Sequence, residues 1–287
     1  MKSNAPQTGF SKSLHCFIPL FIYFAINFIV GSIYEMILAV QFMAADPNLS
    51  TENLLNKVLD AAIAQNSKLM IAVSSVVLLI MGLLFFKHEY RSFDRKFQNR
   101  IKPTEYIGIV SLSIGFFIAV TILLQILYSI WGNTSLFTSY SETMNLLLQD
   151  NLWINLISVG ILAPISEELL FRGLIFNRMR SYMNENSAIV LSALIFAFMH
   201  APTVIQIIYA FLLGCVLAYA YSKFENILVP IMIHMIFNLS NFPFMTDALS
   251  NFPSTVTQSL IFYGMCVVLC FFGLGMLIRK QKPSLKL

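Results

Sequence analysis

Apolar runs long enough to cross a bilayer recur along the whole chain. A spanning helix needs about 20 mostly apolar residues, and such runs lie near 14–42, 68–86, 104–131 and 152–171. Further runs at 187–200, 203–222, 227–241 and 255–278 are punctuated by Pro202, Asn226 and Pro253. The pattern predicts an all-α, polytopic transmembrane bundle of about eight helices. The runs at 187–200 and 227–241 are short for a full crossing. Short helices persist at membrane depth where protein buries them or where they line a wet cavity, so short or re-entrant helices around an intramembrane cavity are expected. Outside the main runs, Leu54, Leu55, Val58, Leu59, Ala62 and Ile63 form one helical stripe, which suggests an interfacial helix on the leaflet opposite the basic loops. No internal repeat, low-complexity tract or soluble domain interrupts the pattern, and residues 1–287 read as a single membrane domain.

Composition strengthens this reading. Apolar residues make up 57% of the chain against 11% charged, and the mean hydropathy is +0.75. A soluble domain carries roughly a quarter charged residues, so this chain lacks the surface to stay compact in water. With 26 Phe and 11 Tyr it is also too apolar to remain disordered. The net charge of +4 marks no nucleic-acid partner, because the basic residues flank apolar segments. Cys16, Cys215, Cys266 and Cys270 lie within apolar stretches without metal-ligand spacing and read as packing residues.

Orientation follows from the Lys and Arg positions. The 87–103 loop holds Lys87, Arg91, Arg95, Lys96, Arg100 and Lys102, and the tail holds Arg279, Lys280, Lys282 and Lys286. Both are expected on the cytoplasmic side. Eight crossings then place both termini there, with Arg172, Arg178, Arg180 and Lys223 at or near the same side. The run after Lys2 and Lys12 is too long for a cleaved signal peptide and is expected to stay as an anchor.

Ionisable groups within the membrane are costly and mark functional sites. His88 falls in the basic loop and His15 at the first boundary, which leaves His200 and His234 within apolar helices together with Glu167, Glu168, Arg172 and Asn238. Glu167 and Glu168 project about 100° apart on a helix and cannot share one role. Glu168 and Arg172, at i,i+4, can pair on one face, leaving Glu167 for chemistry. His200 ends Phe196-Ala197-Phe198-Met199-His200, where a helix stops before Pro202. His234 and Asn238 share a face and offer two donors suited to a developing oxyanion. Each cluster alone has a structural explanation as interhelical polar contacts or a helix cap; three clusters on three short helices are most simply one site.

The motifs Glu167-Glu168 to Arg172, Phe196 to His200 and His234 to Asn238 resemble, in order, the EExxxR, FxxxH and HxxxN pattern of the CAAX protease and bacteriocin-processing family of intramembrane proteases, which includes the type II CAAX prenyl endopeptidases. The match covers a core at about 150–241. The resemblance implies peptide-bond hydrolysis within the membrane: Glu167 with His200 would activate water, His234 and Asn238 would stabilise the oxyanion, and Glu168, Arg172 and Phe196 would support the site. It leaves the cofactor open. Zinc on Glu167, His200 and His234 would make an open catalytic site, but HExxH is absent, and an all-protein glutamate mechanism is preferred.

Two other classes of function compete. Transport or proton relay also uses membrane Glu, His and Arg, but often with repeat symmetry, whereas here the polar groups are confined to the second half. A non-catalytic binding or immunity protein would keep the site unused. The expected partners are the bilayer and a membrane-bound peptide or protein, among them prenylated CAAX proteins and bacteriocin or signalling-peptide precursors. A bacterial cell membrane is the expected location.

Overall fold

The computed structural model of the chain describes residues 9–97, 101–132, 134–148, 151–200, 203–242 and 256–280. Among the described residues there are ten helices and no strand. They are α1 (Gly9–Ala45), α2 (Thr51–Ala64), α3 (Asn66–Phe97), α4 (Pro103–Trp131), α5 (Ser135–Leu148), α6 (Leu152–Met179), α7 (Glu185–Met199), α8 (Val204–Phe224), α9 (Leu228–Ser240) and α10 (Val256–Arg279). Five contain stretches long and apolar enough to cross a membrane: α1, α3, α4, α6 and α8. The shorter apolar segments are α7, α9 and the Val267–Arg279 part of α10. The all-α bundle read from hydropathy is the observed architecture, and the protein is a multi-pass membrane protein.

One sequence boundary is wrong. The basic stretch from residue 87 was expected to be a loop, yet α3 continues through it to Phe97. Charge ends the lipid-compatible part of a helix, but Lys, Arg and Gln are good helix formers, so the backbone ladder continues where hydropathy falls. The side chains of 86–97, His88 among them, lie outside the described residues, as do Arg100, Pro202, Pro253, the Cys266 side chain and the tail beyond Lys280. The stretch between the apolar runs at 104–131 and 152–171 contains α5.

The stripe between α1 and α3 is the helix α2. Ser50 caps its N-terminus by accepting from the Asn53 amide. Val58 turns into the protein, while Leu55, Leu59 and Ile63 remain exposed at i, i+4 and i+8, as a helix lying along a lipid surface requires.

Four contacts gather helix ends at one end of the bundle. Arg178 Nη1 donates to the His15 carbonyl at 2.8 Å, joining the end of α6 to the start of α1. Arg180 pairs with Glu225, joining α6 to the end of α8. Lys280 Nζ lies 2.5 Å from Glu105 Oε1 and 4.8 Å from the Phe224 ring, joining α10 to α4 and α8. Arg180 lies just beyond the spanning segment: burial works against its charge, but hydrogen bonds and attraction from Glu225 prevail and raise its pKa above the ordinary arginine value.

Two apolar cores flank the three polar motifs. One joins α1 and α3 to the second half of α6 through Cys16, Ile26, Met81, Phe85, Leu170 and Leu174. The other joins α4, α8 and α9 through Ile109, Leu217, Val229, Ile233 and Phe237. The α4–α10 crossing depends on glycine: a Cβ at Gly273 would sit 2.5 Å from the Leu112 amide nitrogen, and one at Gly115 would sit 2.6 Å from the Cys270 backbone.

Candidate active site

Helix α6 carries the first motif, and its geometry is irregular around it. Ser158–Leu162 and Leu169–Phe176 are π-helical and flank a short α-helical stretch, Ala163–Glu168. Single-turn π segments recur at functional sites because they rotate side chains away from the regular face. Here the two carboxylates sit between two such segments and diverge.

Glu168 turns inward. Its Oε1 lies 2.7 Å from Arg172 Nη1 and 2.9 Å from His234 Nδ1. Glu168 and Arg172 are both 0% exposed, so the i,i+4 pairing expected from spacing is present and fully desolvated. Arg172 Nη2 donates to the Gly214 carbonyl of α8 at 3.1 Å, and its guanidinium lies 4.5 Å from the Phe196 ring centroid. One buried cation thus ties α6 to α7 and α8.

Glu167 turns the other way, toward both histidines. Its Oε2 is 3.4 Å from His200 Nε2 and 3.8 Å from His234 Nε2. His200 caps the end of α7, where its Nδ1 lies 2.8 Å from the Phe196 carbonyl. That carbonyl only accepts, so Nδ1 carries the hydrogen. The same logic assigns the hydrogen to His234 Nδ1, which faces the Glu168 carboxylate. Both rings therefore turn Nε2 toward one Glu167 carboxylate oxygen, which is buried and makes no hydrogen bond among the described residues. Three polar atoms around one space are placed to share a proton, a water or a cation.

Access is graded across the group. His200 is 32% exposed and Glu167 18%, against 2% for His234. Phe196 is fully buried and forms the floor: its ring is 4.3 Å from the His200 ring and 5.6 Å from the His234 ring, with Phe171 edge-on at 5.1 Å. Helix α7 begins at Glu185, and its C-cap residue His200 lies against Glu167.

Asn238 lies one turn beyond His234 and donates from Nδ2 to the Val159 carbonyl of α6 at 2.9 Å. Sequence reasoning had no way to single out Val159 or Gly214, which act through backbone oxygens. Among the described residues, no group of three or more His, Cys, Asp or Glu stands in a ready metal-binding arrangement.

Fold and site together define a polytopic helical membrane protein with a partly buried Glu–His–His cluster. Residues 149–240 match the family model described as type II CAAX prenyl endopeptidase Rce1-like. The resemblance carried by the three motifs is therefore shown over that segment, which is similar at family level to intramembrane CAAX-type proteases. UPF0177 protein YxdF of Lactococcus lactis subsp. lactis (strain IL1403) is 26% identical over 168 residues, covering 58% of this chain and 89% of that protein. No solved structure matches the chain.

Proposed function

We propose that the protein is an intramembrane endopeptidase that hydrolyses a peptide bond of a membrane-associated protein or peptide. The observation that carries this reading is the approach of Glu167 Oε2 to His200 Nε2 and His234 Nε2, with each Nδ1 committed to another acceptor. A water between these atoms donates a proton to Glu167, and the hydroxide attacks the carbonyl carbon of the substrate. The C–N bond breaks as the departing amine takes a proton back from Glu167. His200, the most exposed of the three, holds the attacking water. His234 donates to the oxyanion when its Nε2 is protonated, and that imidazolium balances the Glu167, Glu168 and Arg172 charges in a nearly dry site. The resemblance implies the Asn238 amide as a second donor, but in this structure that amide is engaged by the Val159 carbonyl. The substrate classes it implies are prenylated CAAX proteins, bacteriocin or signalling-peptide precursors and other membrane-bound peptides.

Zinc is the second reading, because two imidazole nitrogens and one carboxylate oxygen are in kind the donor set of an open catalytic site. Glu167, His200 and His234 would hold the ion, which would polarise a bound water. The Glu167–His234 separation of 3.8 Å is wider than the edge of about 3.4 Å in a tetrahedral site with bonds near 2.1 Å. The glutamate mechanism needs no such contraction and is preferred. By the positive-inside rule, the end of the bundle that gathers Lys280, Arg178 and Arg180 faces the cytoplasm, in a bacterial cell membrane.

Reconstitution in liposomes with a panel of membrane-anchored peptides tests the reading. Wild type is expected to cleave at least one peptide, Glu167→Gln to cleave none, and chelator to leave the rate unchanged. Stoichiometric zinc that leaves together with activity would replace the glutamate mechanism with the metal one. Cleavage by Glu167→Gln at the wild-type rate would remove Glu167 from the chemistry.

A further inference from the structure

Two prolines interrupt the long helices of this protein, and each takes one amide donor from a backbone ladder. Pro19 in α1 removes the N–H that would reach the His15 carbonyl four residues back. Arg178 supplies the missing donor from α6, at 2.8 Å. Pro164 does the same inside α6. Its predecessor Ala163 donates to Ser158, five residues back, so the ladder runs here in π register. In that register the carbonyl without a donor is Val159. Its donor is Asn238 Nδ2 of α9, at 2.9 Å.

A bare carbonyl at membrane depth is costly where water cannot reach it, so each side chain meets a need its proline creates. The approach of the helices agrees with this. A Cβ on Gly160, beside Val159, would sit 2.7 Å from the Leu239 side chain, which follows Asn238. The atom met is the tip of a flexible side chain, so the contact marks close packing of α6 on α9 rather than a strict need for glycine.

We propose that Asn238 is a positioning residue: by capping the Val159 carbonyl that Pro164 leaves without an amide donor, it holds the Glu167 turn of α6 in register with the His234 turn of α9. The catalytic half of this proposal rests on the proteolytic reading above; the structural half does not. Pro164 is the partner on which Asn238 depends, and the two act as one unit.

A double-substitution cycle of Asn238→Ala and Pro164→Ala separates this from direct oxyanion binding. Pro164→Ala returns a backbone N–H to the ladder, so the Val159 carbonyl no longer needs the amide. In the wild-type background Asn238→Ala is expected to lower the thermal midpoint in detergent and to cut kcat about tenfold with KM unchanged. In the Pro164→Ala background the same substitution is expected to change either quantity less than about twofold or by no measurable shift. Equal loss of kcat in both backgrounds would make Asn238 a direct oxyanion donor and overturn the proposal. A fall in thermal midpoint with unchanged kcat per folded molecule would reduce it to a structural contact and also overturn it.

Infrared difference spectra of protein labelled with carbonyl-13C valine keep the test independent of Pro164 variants and of any substrate. Wild type minus Asn238→Ala is expected to show one valine amide I component moving to higher frequency as its hydrogen bond is lost. An unchanged valine band would overturn the proposal. If wild type cleaves no peptide, the proteolytic reading falls, while the coupling in thermal midpoint and the infrared shift still decide whether Asn238 caps Val159.

Discussion

His234 Nδ1 lies 2.9 Å from the same Glu168 oxygen that receives Arg172. One buried carboxylate therefore does two things. It neutralises a guanidinium that has no access to solvent, and it fixes the tautomer and ring orientation of the histidine facing Glu167. The motif with two adjacent glutamates divides along this line: Glu168 organises, and Glu167, rotated away on an irregular helix, faces the open side.

Removing Glu168 should therefore damage the fold before it damages chemistry. Glu168→Ala strands Arg172 at 0% exposure, and breaking a buried pair in this way costs about 3–5 kcal/mol. A marked drop in thermal midpoint and folded yield is expected. An unaltered midpoint would show that the pair does not stabilise the bundle. Replacing both members, as Glu168→Leu with Arg172→Met, is expected to recover much of the stability without turnover, because His234 has then lost its acceptor.

Glu167→Gln should behave in the opposite way. Its Oε2 makes no hydrogen bond among the described residues, so stability should stay within about 1 kcal/mol of wild type. Hydrolysis should fall about 100-fold or more if Glu167 is the general base. Circular dichroism and peptide cleavage on the same preparation check both halves.

His200 and His234 should differ in how their loss is felt. His200→Ala removes an accessible imidazole and is expected to lower kcat with a normal thermal midpoint. His234→Ala removes a buried ring packed on Phe196 and bonded to Glu168. It should lower kcat about 100-fold and the thermal midpoint as well. Matching stability losses for the two variants would contradict the difference in their surroundings.

A structural control lies at the α4–α10 crossing. Gly273→Val would drive side-chain atoms into the α4 backbone near Leu112 and Gly108, an overpacking worth about 1–3 kcal/mol or more. The thermal midpoint should fall while kcat per folded molecule is unchanged. A selective loss of kcat would instead show that the α4–α10 crossing is coupled to catalysis.

The long apolar helices and the residues that meet at the site were legible in the chain for separate reasons. Lipid demands long apolar runs with satisfied backbones, so hydropathy alone outlines α1, α4, α6 and α8. Charge is so costly there that Glu167, Glu168, Arg172, His200 and His234 stand out individually. The Glu168–Arg172 pair could be inferred from i,i+4 spacing because helix geometry is local. The end of α3 could not, since hydropathy records the limit of lipid rather than that of the helix.

Sequence alone therefore determined which side chains are too polar to be in the membrane without a purpose, and which of them share a helix face. Only the tertiary structure decided how they divide the work. The pairing of Glu168 with His234 spans 66 residues and that of Asn238 with Val159 spans 79. The second depends on a backbone oxygen whose need for a donor arises from Pro164 and a π-helical register. Periodicity carries no information about a carbonyl, and the direction in which each imidazole points is set by what the other helices place around it.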